Sequence, residues 1–394
     1  MRVTHADGSP SDSIVHQLRE DGRDRLILLV NTDRERARSG LCVEIPGRWR
    51  AEWLDTFAGT TSRMPTLIDA GRTIFPLDLA AHGHALLRLS PAQAKQTVAA
   101  KPVPRWREVA RLDDPVEVHL SEPNVLLLDQ ATWRINDGPW QAREEVLRID
   151  NLARQAMGLP RRGGRDPQPW TDSSPDPVAG VLHLRFEFDT SIDLAQLMLA
   201  IEQPEELTIL LDGVTLPSAA SGWWVDEAIK TVPLPAIARG GHVLDIRAPM
   251  RRGLNVEWCY LLGDFGVALA GRHARIVESV RQLAFGDWTK QGLPFYAGNL
   301  SYQCRLRADS RYLRLECPKF RAPLLRAALD ERDLGPIAFA PFGVDMGRVE
   351  HDSILTITAF GNRANAFGPV HHSNERLSWI GPAAWRSNGS AWCY

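Results

Sequence analysis

The chain has 394 residues, of which 44% are hydrophobic and 24% charged, and its formal net charge is −2. This length predicts two or three domains, each large enough to bury its own core. A net charge near zero argues against nucleic acid or an anionic membrane as the partner, because both attract basic proteins. No apolar run approaches the roughly 20 residues of a membrane-spanning helix, and the amino-terminal sequence lacks the apolar segment of a signal peptide.

Strand patterns dominate from the amino terminus onward. Apolar segments over 14–18 and 25–30 flank the turn Asp21-Gly22, which predicts a β-hairpin. Alternation of apolar and polar residues with a period of two continues to about residue 89, as in half-buried strands. We therefore predict a small antiparallel β-sandwich over residues 1–92, followed by a proline-bounded linker over 93–120.

A short helix and a set of recurring strands follow the linker. The segment 144–157 has apolar residues at helical spacing and ends at Gly158, which predicts a helix. Four strand patterns that lie between 182 and 246 then recur in the same order between 302 and 357. Such a recurrence predicts two tandem sandwiches.

The predicted fold class is thus all-β. A first jelly-roll (galactose-binding-like) sandwich is expected over residues 121–270 and a second over 271–394. A (β/α)₈ barrel would need eight alternating strand and helix patterns, and these are absent from the sequence.

The five cysteines are odd in number and form no CxxC or Cys/His motif, which argues against a zinc site or a disulfide framework. Cys304 and Cys317 lie on neighbouring predicted strands and could face each other. We nevertheless expect buried free thiols at Cys42, Cys259, Cys304, Cys317 and Cys393. Nucleotide-binding and hydrolase motifs are also missing, so no cofactor is expected.

Three clusters of aromatic and polar residues are candidates for carbohydrate binding, because an exposed aromatic ring stacks on a sugar while nearby polar groups bind its hydroxyls. Core packing or hydrogen bonding within the loops would explain the same residues. The candidates are Trp223, Trp224 and Asp226, then Trp288 and Tyr296, and finally Asn365 and His371.

Acidic residues are numerous, yet most lie at strand ends or turns, and we assign none of them a catalytic role. A hydrolytic pair must sit about 5–9.5 Å apart across a pocket, which a sequence alone does not show. Structural calcium is an alternative role for the turn carboxylates of Asp189, Asp193 and Asp309.

Several stretches resemble the carboxy-terminal, non-barrel region of bacterial α-L-rhamnosidase-like glycoside hydrolases, typified by glycoside hydrolase family 106. QLREDGRDRLILLVNTDRE and AEWLDTFAGT look like the small β-domain that follows the catalytic barrel. EPNVLLLDQATWRINDGPW looks like the lead into a sugar-binding jelly roll. The stretches YLLGDFGV, GDWTKQGLPFYAGNLSY and GNRANAFGPVHH look like the galactose-binding-like modules behind it.

This resemblance implies that the acid, the base and an active-site calcium belong to a barrel that would precede Met1. No residue of this chain inherits those roles, and we expect the chain to be a fragment or a truncated reading frame. The family also implies a periplasmic or secreted parent protein, although this chain has no visible export signal.

The leading hypothesis is a non-catalytic accessory region that stabilises the catalytic barrel of its parent enzyme and binds a plant or microbial polysaccharide. A stand-alone carbohydrate-binding protein is the second hypothesis. A purely architectural β module, whose aromatic residues form cores and a domain interface, is the third.

Overall fold

The computed structural model describes residues 1–92, 106–113, 115–161, 175–254, 256–271 and 273–366. Within these ranges the elements are almost all β-strands, which confirms the predicted all-β fold class. None of the helices in this described part of the chain is long and apolar enough to cross a membrane.

Within the described residues, nine strands precede residue 92, and the remaining strands and one α-helix follow residue 115. The first nine are β1 (Arg2–Thr4), β2 (Ile14–Asp21), β3 (Asp24–Asn31), β4 (Arg38–Pro46), β5 (Trp49–Asp55), β6 (Thr60–Arg63), β7 (Leu67–Asp69), β8 (Arg72–Leu79) and β9 (His84–Pro91). Next come β10 (Val116–Leu120), β11 (Asn124–Leu128), β12 (Gln130–Ile135), β13 (Gln141–Glu145), the helix α1 (Val146–Ala156), β14 (Gly180–Thr190), β15 (Leu197–Glu202), β16 (Thr208–Leu211), β17 (Val214–Thr215), β18 (Gly222–Trp224), β19 (Asp226–Leu234) and β20 (Gly240–Met250). The last ten are β21 (Cys259–Gly263), β22 (Gly266–Ala270), β23 (His273–Val277), β24 (Gln282–Leu283), β25 (Leu300–Leu306), β26 (Asp309–Glu316), β27 (Leu325–Leu329), β28 (Arg332–Ile337), β29 (Gly343–Val349) and β30 (Ser353–Ala359).

The chain divides into two compact units. Unit 1 comprises the described residues of Met1–Arg111 and Leu306–Ser353, and unit 2 those of Leu112–Arg305 and from Ile354 onward. The predicted domain boundaries stay a prediction. One strand, β10, lies in the last part of the range that was predicted as linker.

Unit 1 contains a sandwich of two antiparallel sheets, with strand orders β1-β4-β8-β7 and β2-β3-β9-β5-β6. Alternate residues of β3, β4, β8 and β9 point between the sheets and form the core, among them Ile27, Val43, Phe75 and Leu87. The predicted hairpin is confirmed, because β2 and β3 pair down to Asp21 and Asp24. Gly22 has a φ of 59° in the turn between them, a conformation that costs glycine little.

Two further strand pairs belong to unit 1. Strand β26 pairs with β29, and β27 pairs with β28, both in antiparallel fashion. These pairs come from the second half of the chain and give unit 1 its discontinuous sequence.

Unit 2 is built around a larger core between two sheets of orders β11-β21-β15-β19-β18 and β13-β12-β14-β20-β16-β17. Strand β23 pairs with β14 in parallel and with β22 in antiparallel fashion. Apolar residues alternate inward along β14 and β20, as at Leu184, Phe186 and Ile246. Strands β24, β10, β25 and β30 follow one another in a further sheet.

The predicted helix is confirmed as α1. Glu145 precedes its first residue, and the Glu145 carboxylate accepts hydrogen bonds from the backbone N–H groups of Leu147 (2.8 Å) and Arg148 (2.9 Å). Such a cap satisfies N–H groups that have no partner within the helix. The buried face of α1 packs Val146 and Ile149 into the core of unit 2.

The two sets of strands that recur in the sequence have similar neighbour relations in the sheets. The first and fourth strands of the earlier set, β14 and β20, are sheet neighbours, whereas the second, β15, lies in a different sheet. The later set shows the same relation, because β25 and β30 are neighbours and β26 pairs elsewhere.

The cysteines within the described residues are free thiols. Cys259 and Cys304 are buried, but Cys42 and Cys317 are partly exposed, so the expectation of burial is wrong for these two. Burial raises the pKa of the Cys304 thiol to about 11, which keeps it protonated and unreactive. Cys393 lies outside the described residues.

Candidate functional site

The adjacent tryptophans 223 and 224 point to opposite sides of strand β18, since side chains alternate along a strand. Trp224 is buried in the core of unit 2, with its ring centroid 4.8 Å from that of Tyr260. The Trp223 side chain is 56% exposed. The Asp226 carboxylate is exposed and accepts a hydrogen bond from the backbone N–H of Ala228 at 2.8 Å. Trp223 is therefore the member of this cluster whose ring is open to a ligand.

The structure brings three other candidates, Trp288, Tyr296 and Asn365, together at one backbone carbonyl. The carbonyl oxygen of Tyr296 accepts hydrogen bonds from Trp288 Nε1 at 3.3 Å and from Asn365 Nδ2 at 3.2 Å. We call these three residues the Tyr296 cluster. His371, the remaining candidate, lies outside the described residues.

The Tyr296 side chain is fully buried, and its hydroxyl has two partners within the fold. The hydroxyl donates to the carbonyl oxygen of Asn299 at 2.6 Å and accepts from the N–H of Ser121 at 3.0 Å. Burial raises the pKa of this phenol above its usual range. The space around it is filled, because a Cβ at Gly298 would overlap the Tyr296 hydroxyl. The cluster therefore holds segments of unit 2 together, and protein atoms enclose the Tyr296 side chain. Carbohydrate binding at Trp288 and Asn365 stays a prediction.

A second aromatic group lies on the surface of unit 1. Along β26, Leu313 and Leu315 alternate with Tyr312 and Arg314, so the last two share the opposite face of the strand. Tyr312 is 60% exposed and faces Trp106, which is 42% exposed. Their ring centroids are 6.2 Å apart and their planes are inclined by 31°.

Charged groups border these two rings. The guanidinium carbon of Arg314 lies 5.8 Å from the centroid of the Trp106 ring. Arg314 Nη1 also donates to the Asp345 carboxylate on β29 at 2.9 Å. We call Trp106, Tyr312 and Arg314 the aromatic platform. Two exposed rings beside hydrogen-bonding groups are suited to stacking on a sugar and binding its hydroxyls.

The candidates chosen from the sequence do not include the platform. The sequence of β26 could have identified Tyr312 and Arg314. Leu313 and Leu315 alternate with them, and this pattern predicts that the leucines face the protein and the other two residues face solvent. Trp106 had no such signal, since its contact with Tyr312 joins residues that are far apart in the sequence.

An open cleft of about 460 Å³ also lies in unit 1, with a polar lining. Two of its charged residues, Asp33 and Arg38, bind each other, with 2.7 Å between the carboxylate oxygen and Nη2. Arg38 also donates to the hydroxyl of Ser13 at 2.8 Å. The lining of the cleft contains no Trp, Tyr or Phe ring, so the cleft lacks the stacking surface that the platform offers to a sugar.

Glu145 has the raised pKa that is typical of a catalytic acid. Burial raises this pKa to about 7 despite hydrogen bonds that lower it. The side chain is only 4% exposed, and Trp258 Nε1 donates to it at 2.6 Å in addition to the two helical N–H groups. This carboxylate is therefore engaged in capping α1.

Two of the three turn carboxylates considered for calcium, those of Asp193 and Asp309, have protein partners. Asp193 accepts a hydrogen bond from the N–H of Arg239 at 2.8 Å. Hydrogen bonds from Arg311 lower the pKa of Asp309 to about 2. Within the described ranges, no three side chains of His, Cys, Asp or Glu come together in a way that could hold a metal ion. The expectation of no cofactor, with structural calcium as the alternative, stays a prediction.

No protein-family model matches the sequence, and no curated protein matches it either. Among solved structures, a rhamnosidase from Novosphingobium sp. PP1Y is similar with a TM-score of 0.25 and 20% identity, over 63% of this chain and 20% of that one. A GH2 beta-galacturonidase from Eisenbergiella tayi is similar with a TM-score of 0.23 and 11% identity, over 61% and 37% of the two chains. A xanthan lyase from Paenibacillus has a TM-score of 0.16 and 9% identity, over 89% and 33%.

The chain thus spans between a fifth and two fifths of the length of these three structures. Their TM-scores are too low for the similarity to carry a functional argument. The resemblance to rhamnosidase-like enzymes therefore stays a prediction, and the function has to follow from the surface of the chain itself.

Proposed function

We propose that the chain is a non-catalytic, all-β accessory region of an α-L-rhamnosidase-like glycoside hydrolase and that it binds carbohydrate at the aromatic platform. The supporting observation is the exposed pair Trp106 and Tyr312, with centroids 6.2 Å apart. Large apolar rings in water are stabilised by a ligand that covers them, and a pyranose ring offers a flat C–H face for that purpose. Arg314 and Asp345 supply the polar groups that would bind sugar hydroxyls.

Isothermal titration calorimetry of the intact chain tests this binding role. Rhamnose-containing, galactose-containing and pectic oligosaccharides serve as ligands. We expect Trp106→Ala and Tyr312→Ala each to weaken binding about tenfold, since aromatic contacts dominate small interfaces. Phe57→Ala is the matched control, because Phe57 is also an exposed aromatic residue of unit 1. Equal affinities for wild type and Trp106→Ala would show that carbohydrate does not bind at the aromatic platform.

An activity assay tests the non-catalytic part of the proposal. The chain alone is expected not to cleave an aryl α-L-rhamnoside. Turnover that a single carboxylate substitution abolishes would mean that the chain carries its own active site.

A purely architectural role is the second candidate, and an exposed apolar group in unit 1 favours it. The Phe57 and Phe339 rings lie 5.7 Å apart, and His84 lies 5.2 Å from Phe339. Both phenylalanines are more than half exposed, as expected of residues that dock against another domain such as the parent's catalytic barrel. Self-association measured by light scattering should then fall in Phe339→Asp and persist in Trp106→Ala.

A further inference from the structure

A row of basic side chains crosses the outer face of the larger sheet of unit 2. Arg134 on β12 is directly opposite His183 on β14, and His183 is directly opposite Arg247 on β20. Residues paired in this way point to the same side of a sheet. Their neighbours Leu184 and Ile246 point to the other side, into the core. We call Arg134, His183 and Arg247 the basic row.

An aromatic ring holds one end of this row in place. The Trp140 ring lies against two guanidinium groups, with centroid distances of 5.0 Å to Arg134 and 4.5 Å to Arg185. Arg185 also makes two hydrogen bonds to Asp245, at 2.8 and 3.1 Å. Cation–π contacts of this kind restrict the side-chain conformers, so Arg134 is ordered before any ligand arrives.

The charges of the basic row are not balanced. Arg185 is neutralised by Asp245, but neither Arg134 nor Arg247 forms an ion pair within the part of the chain that the structure describes. Burial, and then the two neighbouring guanidinium groups, hold the pKa of His183 below its usual range, against weaker opposing effects of Asp137 and Asp245. The imidazole is therefore neutral at pH 7 and stands between two positive charges.

Like charges side by side on a sheet cost stability unless something compensates them. A guanidinium group recognises a carboxylate through two parallel hydrogen bonds. A neutral imidazole can both donate to and accept from a hydroxyl group. Carboxylates next to hydroxyl groups are the chemistry of uronic acids.

We propose that the basic row binds the carboxylates of a glycan that contains uronic acids, with Arg134 and Arg247 as the carboxylate contacts. This inference rests on the proposed carbohydrate-binding function and adds a ligand class and a second surface to it. Nucleic acid is the less favoured partner, because two free positive charges neutralise few phosphates and the whole chain has a net charge of −2.

Calorimetry with one glycan in two charge states tests the proposal. The probes are an oligogalacturonate and its methyl ester, which has the same chain without the negative charges. We expect the acid to bind the wild-type chain about tenfold more tightly than the ester, as for other charge-assisted contacts. Arg247→Gln and Arg134→Gln should each remove most of this preference. Arg239→Gln removes an equal charge from an exposed residue elsewhere in unit 2 and should change the affinity less than about twofold.

The outcomes separate this inference from the function on which it rests. Equal binding of acid and ester, or an unchanged preference in Arg247→Gln, would overturn the basic row as a binding site. If glycans then still bind and Trp106→Ala still lowers the affinity for them, the proposed function stands. Absence of all glycan binding would overturn both. Tighter binding of a single-stranded oligonucleotide of equal charge would also overturn the inference. Thermal melting shows whether Arg134→Gln folds, and the exposed Arg247 provides an independent test.

Discussion

The Tyr296 cluster of unit 2 and the aromatic platform of unit 1 contain similar residues in opposite environments. In the cluster, the Tyr296 hydroxyl and carbonyl both have partners within the chain, and the ring is fully buried. In the platform, Trp106 and Tyr312 face each other with large exposed areas. A tyrosine beside a tryptophan therefore indicates neither a core nor a site until the partners of its polar atoms are known.

The largest effect on stability is expected from Tyr296→Ala. Truncation of a buried aromatic ring leaves a cavity and should lower the free energy of unfolding by about 3–5 kcal/mol. Tyr296→Phe keeps the ring but leaves the Ser121 N–H and the Asn299 carbonyl without this partner, for a loss of about 1–2 kcal/mol. Urea denaturation measures both changes. A loss below about 1 kcal/mol in Tyr296→Ala would show that the cluster does not stabilise the fold of unit 2.

The next largest effect is a pH dependence from Glu145. Burial raises its pKa in the folded protein to about 7 from the ordinary value of 4.5, so the folded chain keeps a proton that the unfolded chain releases between these values. The protonated Glu145 therefore makes its full contribution to the free energy of unfolding below pH 4.5, and this contribution falls as the pH rises to about 7. The total loss is about 3 kcal/mol.

Urea denaturation at about pH 5 and about pH 8, on either side of the raised pKa, tests this difference in wild type and in Glu145→Gln. The variant cannot ionise at this position, so its stability should change less between the two pH values. Because Gln still has one oxygen to accept from Trp258 or Leu147, the helix should remain folded. The same pH dependence in both proteins would assign the effect to another group.

Trp106→Ala should have little effect on stability. Its ring is exposed, and substitutions on the surface usually change the free energy of unfolding by less than about 0.5 kcal/mol. Urea denaturation of this variant beside Tyr296→Ala makes the comparison between platform and cluster direct. A loss above about 2 kcal/mol would mean that Trp106 is part of a core.

The smallest effect is expected from Trp223→Ala. Trp223 is as exposed as the platform residues, but its chain neighbour Trp224 points into the core and so adds nothing to a stacking surface. We expect a loss of glycan affinity of about two- to threefold, below that of Trp106→Ala. Calorimetry with the same oligosaccharides measures both. A larger loss of glycan affinity in Trp223→Ala than in Trp106→Ala would mean that the main binding surface is at strand β18.

Local features of the fold were predictable from the sequence, whereas long-range contacts were not. The hairpin around Gly22, the helix after Glu145 and the opposite orientations of Trp223 and Trp224 follow from periodicity and turn chemistry. The Tyr296 cluster depends on a contact between Ser121 and Tyr296 that spans 175 residues. Strand registers across such distances depend on how whole sheets pack, which no local pattern encodes.

The basic row was not predictable from the sequence, because it also depends on long-range strand pairing. Arg134, His183 and Arg247 form a row only because β12, β14 and β20 pair in one register. A shift of one residue would turn each of these side chains into the core.

The most direct test of the central claim is a ¹H–¹⁵N spectrum of the indole N–H groups during titration with a rhamnose-containing or pectic oligosaccharide. The chain has 13 tryptophans, and Trp106→Phe identifies the signal of Trp106. We predict that the Trp106 signal shifts in a saturable manner while those of Trp224 and Trp288 stay in place. Shifts at Trp288 without a shift at Trp106 would contradict the account, because the ligand would then bind at the Tyr296 cluster.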